Sequence, residues 1–123
     1  MSRRVTRRGV LPAESEAAFQ QKIVNLARFN GWRVYHPPDN RPSGRTGRVQ
    51  DVVAGFPDLT LVRGTVLVFA ELKAKAGRIS PAQQEWLDAL AETGTPTYLW
   101  KAGNEDDWRQ IQQVLSRPVR STP

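Results

Sequence analysis

Apolar residues in the first third of the chain recur at the spacing of a helix. When residues 15–30 are placed at 100° steps, four apolar side chains fall on one side: Phe19, Ile23, Leu26 and Ala27. Gly31 is a typical residue for ending such a helix. Residues 32–36 then alternate between apolar and polar positions, which predicts a short strand that two prolines end.

The clearest pattern in the chain is that of a β-hairpin. Residues 58–63 and 66–73 are two runs of strand-forming residues, separated by Gly64 and Thr65, a pair that suits a two-residue turn. The second run is apolar on both faces as far as Ala70. We therefore predict a central strand that is covered on both sides.

A helix, a strand and a last helix complete the pattern. Ser80 is a typical capping residue, Pro81 suits the first turn, and Gln83 lies three residues after the cap. Residues 97–100 predict a short strand, and residues 106–115 predict a closing helix with one apolar side.

This order of elements predicts an α/β domain with a mixed sheet flanked by helices, in the order helix, three strands, helix, strand, helix. We expect the domain to occupy residues 14–116, between a flexible basic arm at 1–13 and a tail at 117–123. Residues 39–55 predict a long loop, and loops of that length in a compact domain are usually functional or disordered.

Composition excludes several classes of site. The 123 residues contain no cysteine, which rules out a disulfide framework, a cysteine zinc site, an iron–sulfur cluster and a thiol nucleophile. The single histidine, His36, excludes a metal site built from several histidines. No apolar run approaches the roughly 18 residues of a membrane span, and no signal-peptide pattern opens the chain. We expect a cytoplasmic protein of a bacterial or phage-infected cell.

The net charge of +6, with 14 arginines among 18 cationic residues, favours a polyanionic partner such as nucleic acid. Arginine binds phosphate with a planar, two-pronged set of donors. A charge surplus that only keeps the protein soluble would give the same composition, so charge alone leaves both interpretations open. If the partner is DNA, the residues expected to contact it are His36, Arg41, Arg45, Arg48, Lys75 and Arg78.

The hairpin places two acidic residues opposite each other. With a two-residue turn Arg63 faces Val66, and the same register puts Asp58 directly opposite Glu71, while Lys73 shares the face of Glu71. Facing carboxylates destabilise a sheet, and a divalent cation would relieve the conflict; oxygen ligands favour Mg²⁺. Two other interpretations stay open: a charged surface cluster in water, or a three-residue turn that separates the acids.

Two further polar residues point toward the same region. Glu16 lies in the middle of the apolar side of the first helix, so it needs a partner such as a metal or Lys73; alternatively it only complements the helix dipole. Gln83 fits a capping box, and it also lies on the inward side of its helix, where it could position a water molecule or a phosphate. These two roles for Gln83 are compatible.

Five motifs together resemble the VRR-NUC nucleases of the PD-(D/E)XK superfamily. The resemblance covers about residues 15–100. In order along the chain the motifs are Glu16-Ala17-Ala18-Phe19-Gln20, Gly31-Trp32, Gly55-Phe56-Pro57-Asp58-Leu59, Phe69-Ala70-Glu71-Leu72-Lys73 and Ser80-Pro81-Ala82-Gln83-Gln84-Glu85-Trp86. The resemblance implies a restriction-endonuclease-like core.

The resemblance also implies roles for individual residues. Asp58 and Glu71 would be ligands of Mg²⁺, or of Mn²⁺ as its substitute, with the Leu72 carbonyl as a further oxygen ligand. Glu16 would complete the metal shell, through water if not directly. Lys73 would orient the attacking water and stabilise the phosphate, and Gln83 would assist at the rim.

The function implied is metal-dependent, structure-specific DNA endonuclease activity, of the Holliday-junction resolvase type. Symmetric incision of a four-way junction needs two active sites, so we expect a homodimer, with Trp100 and Trp108 as candidate interface residues unless they belong to the core. The alternatives are a nuclease for flaps, nicks or duplexes, and a non-catalytic nucleic-acid-binding module that keeps the fold.

Overall fold

A computed structural model describes residues 13–38 and 53–116 of the chain. Seven elements follow one another in these ranges: α1 (Glu16–Phe29), β1 (Arg33–Tyr35), β2 (Leu59–Arg63), β3 (Val66–Lys73), α2 (Pro81–Glu92), β4 (Thr97–Lys101) and α3 (Glu105–Ser116). This order confirms the predicted mixed α/β fold. The arm up to residue 12, most of the 39–55 loop with Arg41, Arg45 and Arg48, and the tail lie outside the described residues.

The four strands form one mixed sheet in the order β1-β2-β3-β4. β2 is antiparallel to both β1 and β3, whereas β4 is parallel to β3. The hairpin turns at Gly64 and Thr65, so that Arg63 pairs with Val66 and Leu59 pairs with Ala70. The register predicted for the hairpin is therefore confirmed.

The strand directions bring many element ends to one edge of the sheet, which we call the carboxyl edge. It contains the carboxyl ends of β1, β3 and β4 and the amino end of β2. The first turns of all three helices also lie here: Glu16 is close to Asp58, Gln83 binds Glu71, and Asp107 accepts the backbone N–H of Lys101 at 2.8 Å. Helix amino termini carry partial positive charge, which acidic residues in the first turns of α1 and α3 complement.

The main core lies between α1, α3 and one face of the sheet. Phe19 and Ile23 of α1 and Ile111 and Leu115 of α3 are buried here against five residues of the sheet: Leu59, Leu61, Val68, Leu72 and Trp100. The opposite face of β3 and β4 packs against α2. Glu71 and Lys73 alternate with the core residues of β3, so they belong to this second face.

The two candidate interface tryptophans have other roles in the structure. Trp100 is fully buried, stacks on Tyr98 and donates its indole N–H to Gln110, so the expectation that it lies in an interface is wrong. Trp108 packs against the core and lies beneath the Lys22 ammonium, 4.3 Å from the ring centre. No helix within the described residues is long and apolar enough to cross a membrane.

Candidate active site

Asp58 and Glu71 meet where the hairpin reaches the carboxyl edge. Asp58 directly precedes β2, after the buried Pro57, and its Oδ2 accepts the backbone N–H of Leu72 at 2.8 Å. Glu71 is only 1% exposed and is the sole polar residue in the buried set of the described chain. The pairing of Leu59 with Ala70, extended by one residue, makes Asp58 and Glu71 neighbours on one face.

Lys73 supplies the positive charge of the cluster. Its Nζ lies 3.8 Å from Glu71 Oε2, and its side chain is 13% exposed. The stem of Lys73 passes so close to Gly77 that a methyl group there would lie 3.3 Å from Cδ. The ammonium therefore has a fixed approach to the two acids while part of it remains accessible to a ligand.

Gln83 forms the expected capping box with one end of its amide and contacts Glu71 with the other; its expected role in positioning water or phosphate stays a prediction. Its Oε1 accepts the N–H of Ser80 at 2.8 Å, and Ser80 Oγ accepts the N–H of Gln83 at 3.1 Å, which completes a capping box. Its Nε2 donates to Glu71 Oε2 at 2.7 Å. The start of α2 is thus connected directly to the buried carboxylate.

Glu16 lies at the site but is not buried. It is the first residue of α1, after the Ser15 cap, and its side chain is exposed. Partial burial and the charge of Asp58 raise the pKa of Glu16, and Lys73 lowers it. The helical periodicity gave its direction correctly, but its expected place in the middle of a buried face is wrong, because the helix begins at the sheet edge.

Burial dominates the electrostatics of Glu71. Burial first, and then the negative charge of Asp58, raise the pKa of Glu71 to about 8, although the charge of Lys73 acts in the opposite direction. One oxygen, Oε1, has no hydrogen-bond partner among the described residues. A buried carboxylate oxygen without a partner is costly, so this atom is suited to a cation.

This raised pKa predicts how the stability of the metal-free protein depends on pH. Folded Glu71 binds its proton more tightly than the unfolded chain does, so the free energy of unfolding should fall as pH rises from about 4.5 toward about 8. Urea unfolding in EDTA across this range measures the slope. Glu71→Gln should flatten it, and an unchanged slope in that variant would contradict the assignment.

The residues fit a hard divalent cation. Asp58 and Glu71 offer carboxylate oxygens, the Leu72 carbonyl offers a third oxygen, and Glu71 Oε1 is the buried acceptor without a partner. In the described ranges, no three acidic or histidine side chains form a group that could hold a metal. Glu16 therefore stands apart from the two carboxylates, and a link to the metal through water is the arrangement that remains for it.

Two residues of the Gly55-Phe56-Pro57-Asp58 run position Asp58, a role that the sequence analysis did not assign to them. The backbone at Gly55 has φ +85°, and a methyl group there would lie 2.5 Å from the Ala82 carbonyl carbon, so the loop before β2 lies directly on the first turn of α2. Phe56 packs edge-on against Phe69 and Trp86, with ring centres 5.8 and 5.0 Å apart. The Gly-Phe-Pro-Asp run signals such an anchored loop.

Three of the six candidate DNA contacts belong to the described residues and follow strands that end at the carboxyl edge. His36 follows β1 at the carboxyl edge and is exposed, as are Lys75 and Arg78 beyond β3. Arg41, Arg45 and Arg48 lie outside the described residues, so their predicted role as a DNA clamp stays a prediction.

Comparisons with known proteins identify the family and agree with the fold. The model of the VRR-NUC domain matches residues 14–103, the region over which the motifs show their resemblance. A solved structure named VRR_NUC domain protein is similar to this chain with a TM-score of 0.60 and 23% sequence identity, covering 85% of this chain and 89% of the other. That similarity supports the fold. No curated protein matches the sequence.

Proposed function

The chain belongs to the VRR-NUC domain family, a nuclease family of the PD-(D/E)XK superfamily, and from this premise we propose that it is a Mg²⁺-dependent endonuclease that hydrolyses phosphodiester bonds in branched DNA. The observation that carries this proposal is the meeting of Asp58, Glu71 and Lys73 at one edge of the sheet. A module that only binds phosphate gains nothing from two facing acids at this position.

The metal would be held by Asp58, Glu71 and the Leu72 carbonyl. When bound, a divalent cation activates water and neutralises the charge that develops on the phosphate. The N–H of Leu72 fixes the Asp58 carboxylate, and the Gln83 amide fixes Glu71. Both acids are thus oriented before any ligand arrives, which lowers the cost of assembling the site.

Lys73 acts on the substrate side of the cluster. Its ammonium donates a hydrogen bond to the attacking water or to an oxygen of the scissile phosphate, where negative charge increases during the reaction. Glu16 is exposed at the same edge and would contact the metal through water. The reaction adds the oxygen of water to phosphorus and releases one DNA end as an alcohol, whose oxygen takes up a proton.

Nucleic acid is the proposed substrate because the chain carries a net charge of +6. Branched DNA is proposed because stand-alone proteins that resemble this family include Holliday-junction resolvases. Two copies related by a two-fold axis would place two active sites on a four-way junction and cut it symmetrically. We therefore propose a homodimer with Holliday-junction resolvase activity.

Cleavage of a panel of labelled DNAs tests this function. We expect the purified protein to cut a four-way junction in MgCl₂ or MnCl₂ at symmetric positions, to cut linear duplex far more slowly, and to cut nothing in EDTA. Added Mg²⁺ should also raise the thermal unfolding temperature of the DNA-free protein by ligand linkage. Light scattering should give the mass of two chains.

Each of these measurements has an outcome that contradicts part of the proposal. Undiminished cleavage in EDTA would exclude metal dependence, and equal rates on junction and linear duplex would exclude preference for branches. Tight binding to every DNA without cleavage of any would instead identify a non-catalytic binding module. A single-chain mass at the assay concentration would contradict the dimer.

A further inference from the structure

Lysine is rare in this chain, and its distribution is uneven. Only four residues are lysine, against 14 arginines. Three of the four lie at the carboxyl ends of the parallel pair β3 and β4: Lys73 and Lys101 end these strands, and Lys75 follows β3 by two residues. We call these three residues the lysine row. Lysine carries a compact charge on a flexible stem, whereas arginine presents a rigid fork.

Lys101 is held beside Lys73 by the sheet. The two residues are register partners in the parallel ladder, so their side chains leave the same face of the sheet, about 4.8 Å apart at the backbone. The Asp107 carboxylate accepts the backbone N–H of Lys101 at 2.8 Å, which fixes the end of β4 against the first turn of α3. The backbone of Lys101 is therefore held by two elements.

Lys75, which follows β3, extends to the turn after β4. Its stem lies against Gly103, where a methyl group would be 3.4 Å from Cδ, in the turn that follows β4. Lys101 is half-buried and Lys75 is exposed, and neither forms an ion pair within the described ranges. Two lysines thus lie near the end of β4, and neither ammonium is paired with a carboxylate of the described residues.

Lys101 is distinct from the metal cluster. Asp58 and Glu71 lie where β2 meets β3, whereas Lys101 ends β4 on the other side of β3. Lys101 therefore lies one strand further along the edge than Lys73. Lysine stems are long and flexible, so ammonium groups that leave neighbouring strands of the sheet can reach adjacent phosphates of one DNA strand.

We infer that Lys101, with Lys75 beside it, binds the phosphate group of the cut strand that neighbours the scissile phosphate. This inference rests on the proposed nuclease function and adds a substrate contact to the same site. Lys73 contacts the phosphate that reacts. Lys101 binds the neighbouring phosphate and so fixes the position of the DNA strand along the site. Its contribution is to binding and positioning.

Binding and cleavage by Lys101→Gln test the inference. The probe is a labelled four-way junction, bound in EDTA at several KCl concentrations and cut in MgCl₂. We expect about tenfold weaker binding at moderate salt, and a plot of log affinity against log salt that is shallower by about 1, the loss of one phosphate contact. The rate at saturating DNA should change little. Lys101→Arg should restore most of the affinity.

The matched control is Arg28→Gln, which removes one positive charge from the last turn of α1, at the far end of that helix from the carboxyl edge. If Lys101→Gln keeps the affinity and salt dependence of the parent, or loses turnover without losing affinity, the inference is wrong. Thermal unfolding of each variant identifies any loss of fold. Failure of the unmodified protein to cut any DNA would contradict the proposed function itself, and is thus distinguishable from failure of this assignment.

Discussion

Replacing Asp58 with asparagine is expected to lower the rate of DNA cleavage by about 10²–10⁴-fold and to leave the metal-free protein at least as stable as the parent. The amide oxygen can still accept the N–H of Leu72, so the loop keeps its anchor. The substitution removes the negative charge that faces Glu71 and raises its pKa. A loss of activity accompanied by a gain in stability is the expected sign of a site strained for function.

Single-turnover cleavage in MgCl₂ and urea unfolding in EDTA at pH 8 measure the two quantities. The matched control is Asp106→Asn, which removes an exposed carboxylate that pairs with Arg109 on α3, and we expect parental rates from it. Parental cleavage by Asp58→Asn would refute its role as a metal ligand, and a marked loss of stability would refute the charge argument.

Lys73→Ala provides the opposite test of the same cluster. It should reduce cleavage to a similar extent, but it removes the cation that lies 3.8 Å from Glu71. The metal-free variant should therefore be less stable than the parent at pH 8, where Asp58→Asn is not. Opposite stability effects with the same loss of activity would separate catalysis from folding.

Replacing Gly55 with alanine is expected to damage both stability and cleavage. The residue has φ +85°, a conformation that costs an alanine about 1–2 kcal/mol. Its new methyl group would also lie 2.5 and 2.6 Å from the carbonyl carbon and oxygen of Ala82, and relieving an overlap of this kind costs about 1–3 kcal/mol. The loop must move away from α2, and it carries Asp58 with it.

Gly94→Ala separates the cost of the backbone conformation from the cost of the steric overlap. Gly94 also has φ +85°, but nothing lies within 4 Å of the position of an added methyl group. Its variant should lose only the backbone contribution and keep parental cleavage. Urea unfolding and single-turnover cleavage of both variants measure the difference. Equal losses of stability in the two variants would show that the contact between Gly55 and Ala82 does not position the site.

The hairpin and its acids could be predicted because both follow from local rules. A two-residue turn at Gly64 fixes the register, and the register brings Asp58 to Glu71. The start of α2 is equally local, because Ser80, Pro81 and Gln83 satisfy the rules for helix initiation within four residues.

The features that could not be predicted depend on how deeply a side chain is buried or on contacts between residues distant in sequence. Helical periodicity gives the direction of Glu16 but not whether another layer covers it, and at the sheet edge none does. The burial of Trp100 depends on where α3 packs. The approach of Gly55 to Ala82 spans 27 residues and two elements, and no spacing rule describes it.

The amide of Gln83 joins two requirements that a sequence comparison would treat as independent. A glutamate at this position would begin the helix as well as glutamine does, yet it would set a third negative charge against Glu71 in place of the 2.7 Å donor. Similarity scores that reward the exchange of these two residues would rank such a chain as an intact relative. We therefore expect the presence of the Gln83 Nε2 donor to indicate an intact site more directly than the sequence of the surrounding helix does.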